Sequence, residues 1–145
     1  VLSKRKKHAE ELCRLLQSRG HEPILLTGEI DAKERKAILN SLPGFEHEHR
    51  IIIATEGLLG EGFDLSYLDT LLIATPISWD GSITQQAGRL HRSHEGKQQV
   101  EIFDYVDLSI PMLARMYQKR LKTYAKLGYE VFAANDNKRA DQNIS

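Results

Sequence analysis

The chain has 145 residues, a length that suits one domain with an apolar core of its own. Its 20 Lys plus Arg match 20 Asp plus Glu, so it lacks the overall basic charge of a freestanding nucleic-acid binder, and any phosphate contact must come from local clusters. The single cysteine, Cys13, excludes an internal disulfide and a cysteine zinc cluster, and no membrane-spanning apolar run or signal-peptide pattern is present; a cytoplasmic protein with no membrane partner is expected.

A short apolar start, Val1-Leu2, reads as the first strand. A helix follows from about Lys4 to Ser18, with Leu12, Leu15 and Leu16 on its buried stripe and Cys13 among them as a small core residue. Gly20 is placed to end it. Pro23 to Thr27 is the next strand. Asp31 can cap a helix from about Ala32 to Leu42, buried through Ile38, Leu39 and Leu42 and broken by Pro43-Gly44. A polar loop runs to His49. Arg50 to Ala54 is a continuous β-branched run, as in a strand buried on both faces of a parallel sheet. Thr70 to Ala74 is another strand, ending in Thr75-Pro76. The spacing then predicts a helix over about Ser82 to Leu90 and a strand over Gln99 to Tyr105, with Val100, Ile102 and Phe103 apolar. Pro111 opens a long helix through Leu113, Tyr117, Leu121 and Tyr124 to about Leu127, closed by Gly128.

Strands alternating with helices predict an α/β fold, a parallel sheet with helices on both faces. Ligands of such sheets sit beyond the carboxyl ends of the strands, where Thr55 and Thr75 fall. The folded domain is expected over 1–132. The polar segment from Ala133 to Ser145 has no hydrophobic periodicity and is expected to be a disordered tail.

Two stretches carry chemistry. In Gln85-Gln86-Ala87-Gly88-Arg89-Leu90-His91-Arg92, a helix places Gln85, Gly88, Arg89 and Arg92 on one stripe and Ile83, Ala87 and Leu90 on the opposite one. One face can bury; the other presents an amide and two planar guanidiniums past a residue with no side chain, which suits a phosphate chain. Two solvated arginines are the plain alternative. Upstream, the Arg50–Ala54 strand stops at Thr55, and Gly57, Gly60 and Gly62 follow before Asp64. Glycines there permit close backbone approach, with N–H groups free to face an anion. Asp64 offers a carboxylate to ribose hydroxyls or a cation. An ordinary strand-to-helix turn with a capping Asp would look the same.

In this order, about thirty residues apart, the two stretches resemble motifs V (Thr55 to Asp64) and VI (Gln85 to Arg92) of the C-terminal RecA-like domain of superfamily-two helicases and nucleic-acid translocases. The opening from Val1 to Leu12 is similar to motif IV and the helix after it, so the resemblance covers Val1 to about Leu127. It implies a RecA-like three-layer sandwich of the P-loop NTPase kind. Gln85-Gln86 stands where DEAD-box RNA helicases usually carry His-Arg, and the Thr55–Asp64 spacing is one residue longer than theirs. E-G-F-D, Thr75-Pro76 and G-R-L-H-R look more like the restriction and repair type of DEAD/DEAH-like enzymes, which act mostly on duplex DNA. Chromatin-remodelling translocases share the G-R-x-H-R piece but tend to have Asn in place of Asp64.

The resemblance implies roles residue by residue. Arg92 would be the arginine finger to the γ-phosphate, with Arg89 beside it and Gln85 touching the phosphate or its attacking water. Gly62, Asp64 and Gly88 would line the nucleotide. Thr55 and Glu56, with Ser3, Lys4, Thr27 and Gly28, would face a nucleic-acid strand, DNA rather than RNA. The chain has no G-x-x-x-x-G-K-[ST] loop and no D-E-x-[DH] motif. ATP with Mg²⁺ would therefore be held mainly by an N-terminal RecA-like lobe, and this chain alone should not hydrolyse it. Its abrupt opening inside a strand is what a piece of a longer protein would show.

Other polar groups have plainer readings. Lys4 to Lys7 is either a phosphate contact or a solvated basic face. Arg115, Lys119, Arg120, Lys122 and Lys126 read as the solvated face of the last helix. His47 with His49, and His91 with His94, lack a ligand framework, so no metal is expected. Trp79 is expected to pack the loop under motif VI. The competing function is a non-catalytic α/β module that binds nucleic acid or protein.

Overall fold

A computed structural model describes residues 1–41, 50–55, 58, 68–77, 84, 88, 90 and 99–133. The elements in chain order are β1 (Leu2–Ser3), α1 (Lys6–Gln17), β2 (Ile24–Leu26), α2 (Ala32–Ser41), β3 (Ile52–Thr55), β4 (Thr70–Ile73), β5 (Glu101–Asp104) and α3 (Pro111–Lys126). The strands form one sheet in the order β2-β3-β1-β4-β5, every pairing parallel. Thr84, Gly88 and Leu90 are helical, within the span expected for the motif VI helix.

Alternation along the strands divides the core between the two faces. Leu2, Leu26, Ile52, Ala54 and Ile73 point to one side, where they pack with Leu58, Ile77 and Leu90 and with Ile38 and Leu39 of α2. Val1, Leu25, Ile51 and Ile53 point to the other, against Ala9, Cys13, Leu12 and Leu16 of α1. The two-residue strand β1 works as the middle of the sheet because both its residues are fully buried between β3 and β4.

The helix ends follow their local chemistry. The Asp31 carboxylate accepts from the backbone nitrogens of Lys33 (2.7 Å) and Glu34 (2.9 Å), capping α2 as expected. Gly20 and Gly128 both take positive φ (84° and 82°) after their helices. After α3, the Tyr129 nitrogen donates to the Tyr124 carbonyl and the Gly128 nitrogen to that of Ala125, the paired bonds of a Schellman ending. Pro111 sits in the first turn of α3, where its missing N–H costs nothing.

Three expectations shift. Helix α1 begins at Lys6 rather than Lys4, because Arg5 is extended (φ −113°, ψ 128°) and its nitrogen donates to the Ser3 hydroxyl at 3.3 Å. Its buried stripe is Ala9 and Cys13, flanked by half-buried Leu12 and Leu16, while Leu15 is exposed. With Ala9 and Cys13 at the centre of the buried stripe, Leu15 falls about 200° around the helix from Cys13 and so faces out. In α3, Arg120 is not a surface cation: it is 1 % exposed, whereas Arg115, Lys119, Lys122 and Lys126 are exposed as expected. Leu42, the Pro43-Gly44 break, the loop to His49, Trp79, Ile83, Ala87, His91, His94 and the tail from residue 134 lie outside the described residues.

Candidate functional site at the carboxyl rim of the sheet

Parallel strands end on a common edge, and the register sets who stands beside whom there. Ser3 is opposite Thr55, Leu26 opposite Ala54, and Leu2 opposite Ile73. Ser3 and Thr55 therefore stand level at the ends of β1 and β3, and Thr27 is the first residue past the end of β2. Thr75 lies just past the end of β4. Its hydroxyl accepts from the Lys4 backbone nitrogen at 2.7 Å, tying the exit of β1 to the exit of β4.

The rim residues differ in what they present. Lys4 and Gly28 are exposed and Thr55 is half-buried. Ser3 and Thr27 are turned inward, at 0 % and 6 % exposure. The Ser3 hydroxyl lies 2.9 Å from Nδ1 of His8 in addition to its bond from the Arg5 nitrogen. It shapes the turn into α1 rather than standing at the surface of this domain. The basic run splits too: Lys4, Arg5 and Lys7 are exposed. Lys6 reaches Glu29 (2.5 Å) in the loop after β2 and Glu10 (3.5 Å) one turn on. Its ammonium is held above the ordinary lysine value, first by the hydrogen bond to Glu29.

Motif V is described at Thr55 and at Leu58, which is buried in the core below the rim. Glu56, Gly57, Gly60, Gly62 and Asp64 lie outside the described residues. In motif VI, Leu90 is 1 % exposed and packs among Leu2, Leu26, Ile73 and Ile77. Gly88, two residues earlier and so about 200° around a helix, is half-buried, and a Cβ built on it meets nothing within 4 Å. Gln85, Arg89 and Arg92 lie outside the described residues.

One polar cluster escapes sequence reasoning. Nε and Nη2 of Arg120 donate to the two carboxylate oxygens of Asp104, at 2.7 and 3.0 Å. Its Nη1 donates to the Ile77 carbonyl at 3.0 Å, and its guanidinium carbon lies 5.7 Å from the centroid of the Tyr117 ring. The Tyr124 hydroxyl donates to the same Asp104 at 2.7 Å. Burial, and then that hydrogen bond, push the Tyr124 phenol far above its ordinary range; burial pushes Tyr129 up to about 12. The signal was present but faint. Asp104 ends β5 on a half-buried position, and Tyr117, Arg120 and Tyr124 share one helical stripe (i, i+3, i+7).

The model of the helicase conserved C-terminal domain family matches residues 1–94, well over half of the chain. The chain belongs to that family. The uncharacterized protein 108L of Invertebrate iridescent virus 3 is 37 % identical over 101 residues, which cover 68 % of this chain and 90 % of the viral protein. The candidate helicase 161L of Invertebrate iridescent virus 6 is 33 % identical over 98 residues, again 68 % of this chain but 21 % of the viral one. Among solved structures, the C-terminal part of the Fun30 ATPase domain matches with a TM-score of 0.66 at 16 % identity, over 93 % of this chain and 40 % of that one. The fold is thus the RecA-like α/β fold of helicase C-terminal domains. This helicase domain spans most of 108L, but about a fifth of 161L and two fifths of the Fun30 chain. No helix among its described residues is long and apolar enough to cross a membrane.

Proposed function

We propose that this helicase domain is the C-terminal motor lobe of an ATP-dependent nucleic-acid translocase or helicase, working with an N-terminal RecA-like lobe. The observation that carries the reading is the shared rim. The ends of the motif IV and motif V strands stand level at Ser3 and Thr55, and the Leu90 side of the motif VI helix is sunk in the same core. Strand contacts and nucleotide contacts thereby rest on one rigid sheet, so closing of the inter-lobe cleft would move the grip on the strand.

In this reading Arg92 is the arginine finger and Arg89 its neighbour, stabilising negative charge that grows on the transferred phosphoryl group. Gln85 orients the attacking water. Asp64 and Gly62 meet the ribose, and the open space at Gly88 lets the nucleotide approach the helix. Thr55 and Glu56, exposed Lys4 and Gly28, and the backbone at Ser3 and Thr27 face the strand. When bound, ATP with Mg²⁺ supplies the hydrolysable phosphoanhydride. DNA ranks ahead of RNA because Gln85-Gln86 and the longer motif V depart from the DEAD-box RNA-helicase pattern. Cytoplasmic location completes the reading.

The test is Arg92→Ala in the full-length protein. Nucleic-acid-stimulated ATP hydrolysis should fall by about 10³–10⁵, with nucleotide binding by calorimetry largely kept. Turnover at the parent rate would refute the finger assignment and the motor reading with it.

A further inference from the structure

We infer that Arg120 is a positioning residue for motif VI, acting through the Ile77 carbonyl; the inference rests on the motor reading. The chain leaves β4 at Ile73, passes Thr75 and Pro76, and reaches Ile77, after which it runs to the motif VI residues. Ile77 is fully buried and its carbonyl accepts from the Arg120 guanidinium at 3.0 Å. Leu90, at the far end of that span, is fixed in the same apolar cluster. Gln85 and Arg89 lie between the two anchors, and Arg92 lies two residues beyond the second.

The choice of side chain is the argument. A buried ion pair is a weak source of stability, because desolvation offsets its attraction; apolar residues of similar volume often serve as well or better. What a guanidinium supplies and an apolar group does not is direction. It is planar and its donors point along fixed lines. Here two donors lock onto the Asp104 carboxylate of β5, the Tyr124 hydroxyl holds that carboxylate from α3, and the Tyr117 ring lies near the guanidinium carbon. With the fork so fixed, Nη1 is aimed at the Ile77 carbonyl, to which it donates. The sheet edge, α3 and the chain entering motif VI are thus joined through one group. Misplacing a catalytic side chain by about 1 Å can lower a rate about 10²-fold, so a tether of this kind bears on turnover without touching the nucleotide.

The experiment uses the full-length protein carrying Asp104→Asn together with Arg120→Met, which removes both charges and leaves neither orphaned. Asp31→Ala, at the exposed cap of α2, serves as the destabilised control. The double variant should keep cooperative melting and the parent KM for ATP. Its strand-stimulated kcat should drop about 10²-fold, and amide exchange should quicken in peptides spanning 77–90 but not in α2. Asp31→Ala should leave kcat at the parent value. A folded double variant with parent kcat and parent exchange overturns the inference. If Arg92→Ala still abolishes turnover in that case, the motor reading stands and only the tether is lost; parent turnover in Arg92→Ala removes both. Should the double variant fail to fold, Arg120→Lys decides: it keeps the charge but not the fork, and a parent kcat there overturns the inference equally.

Discussion

The exits of β1 and β2 and the β5 edge of this sheet treat charge in opposite ways. On the β1–β2 side the cations stand in water: Lys4, Arg5 and Lys7 are exposed, and Lys6 meets Glu29 and Glu10 at the surface. At the β5 edge Arg120 is sealed in the core, with each of its three nitrogens donating to a fixed acceptor. Exposed lysines can exchange a carboxylate for a phosphate at little cost, as a surface that must grip and release needs. The buried fork cannot be rearranged without exposing an unpaired charge to a low-dielectric interior. Residue type alone does not separate the two; the partners that meet each cation do.

The largest expected effect breaks the sealed region. Asp104→Ala leaves the Arg120 guanidinium buried without its carboxylate and removes the acceptor of the Tyr124 hydroxyl. A loss of about 3–5 kcal/mol in urea unfolding is expected. Near-parent stability would mean that water reaches Arg120, and the contrast between the two regions would disappear.

Next comes the apolar anchor of motif VI. Leu90→Ala deletes a side chain 1 % exposed among Leu2, Leu26, Ile73 and Ile77. A cost of about 2–5 kcal/mol is expected from the same measurement. An effect below about 0.5 kcal/mol, as at a surface position, would show that this helix is not docked on the core.

A pH scan separates the regions without mutating the charges. The Tyr124 and Tyr129 phenols are raised, so the folded state keeps protons that the unfolded state gives up near the free phenol value of about 10. Their contribution to stability is therefore complete below about pH 10 and is lost as pH rises, through about 12 for Tyr129 and beyond for Tyr124. The urea midpoint should fall across this alkaline window. Tyr124→Phe should flatten the fall while lowering the neutral-pH midpoint; an unchanged slope in that variant would place the titration elsewhere.

Much of the architecture was legible in the sequence, for identifiable reasons. The β-branched run of β3, the Asp31 cap, Gly20, Gly128 and Pro111 act locally, and each stands where its local chemistry puts it. Leu90 was assigned to the buried side of the motif VI stripe by periodicity alone and is buried. What escaped depends on partners distant in sequence. Arg120 is inside because Asp104, 16 residues earlier, and Ile77, 43 residues earlier, meet it there. Leu15 is outside because Ala9 and Cys13 are the residues packed with Ile53, and Leu15 lies on the far side of the helix from Cys13. Ser3 and Thr27 are likewise at the rim in sequence but turned inward in space, a matter of strand pleat that a motif match does not carry.

The smallest expected effect sharpens the open region. Lys6 and Glu29 join the first turn of α1 to the loop after β2, yet both side chains face solvent, with exposures of 41 % and 73 %. Exposed pairs gain little, because water already screens the attraction and two long side chains must be held in one geometry. Glu29→Gln should therefore leave the urea midpoint unmoved. The same substitution frees the Lys6 ammonium from its closest carboxylate, so if this rim grips a phosphate backbone, binding of a short DNA duplex by the full-length protein should tighten and depend more steeply on salt. A stability loss as large as that of Asp104→Ala would make this pair a structural tie like the buried fork. Unchanged DNA affinity together with unchanged stability would leave Lys6 a solvated cation and move the grip to Lys4, Arg5 and Lys7.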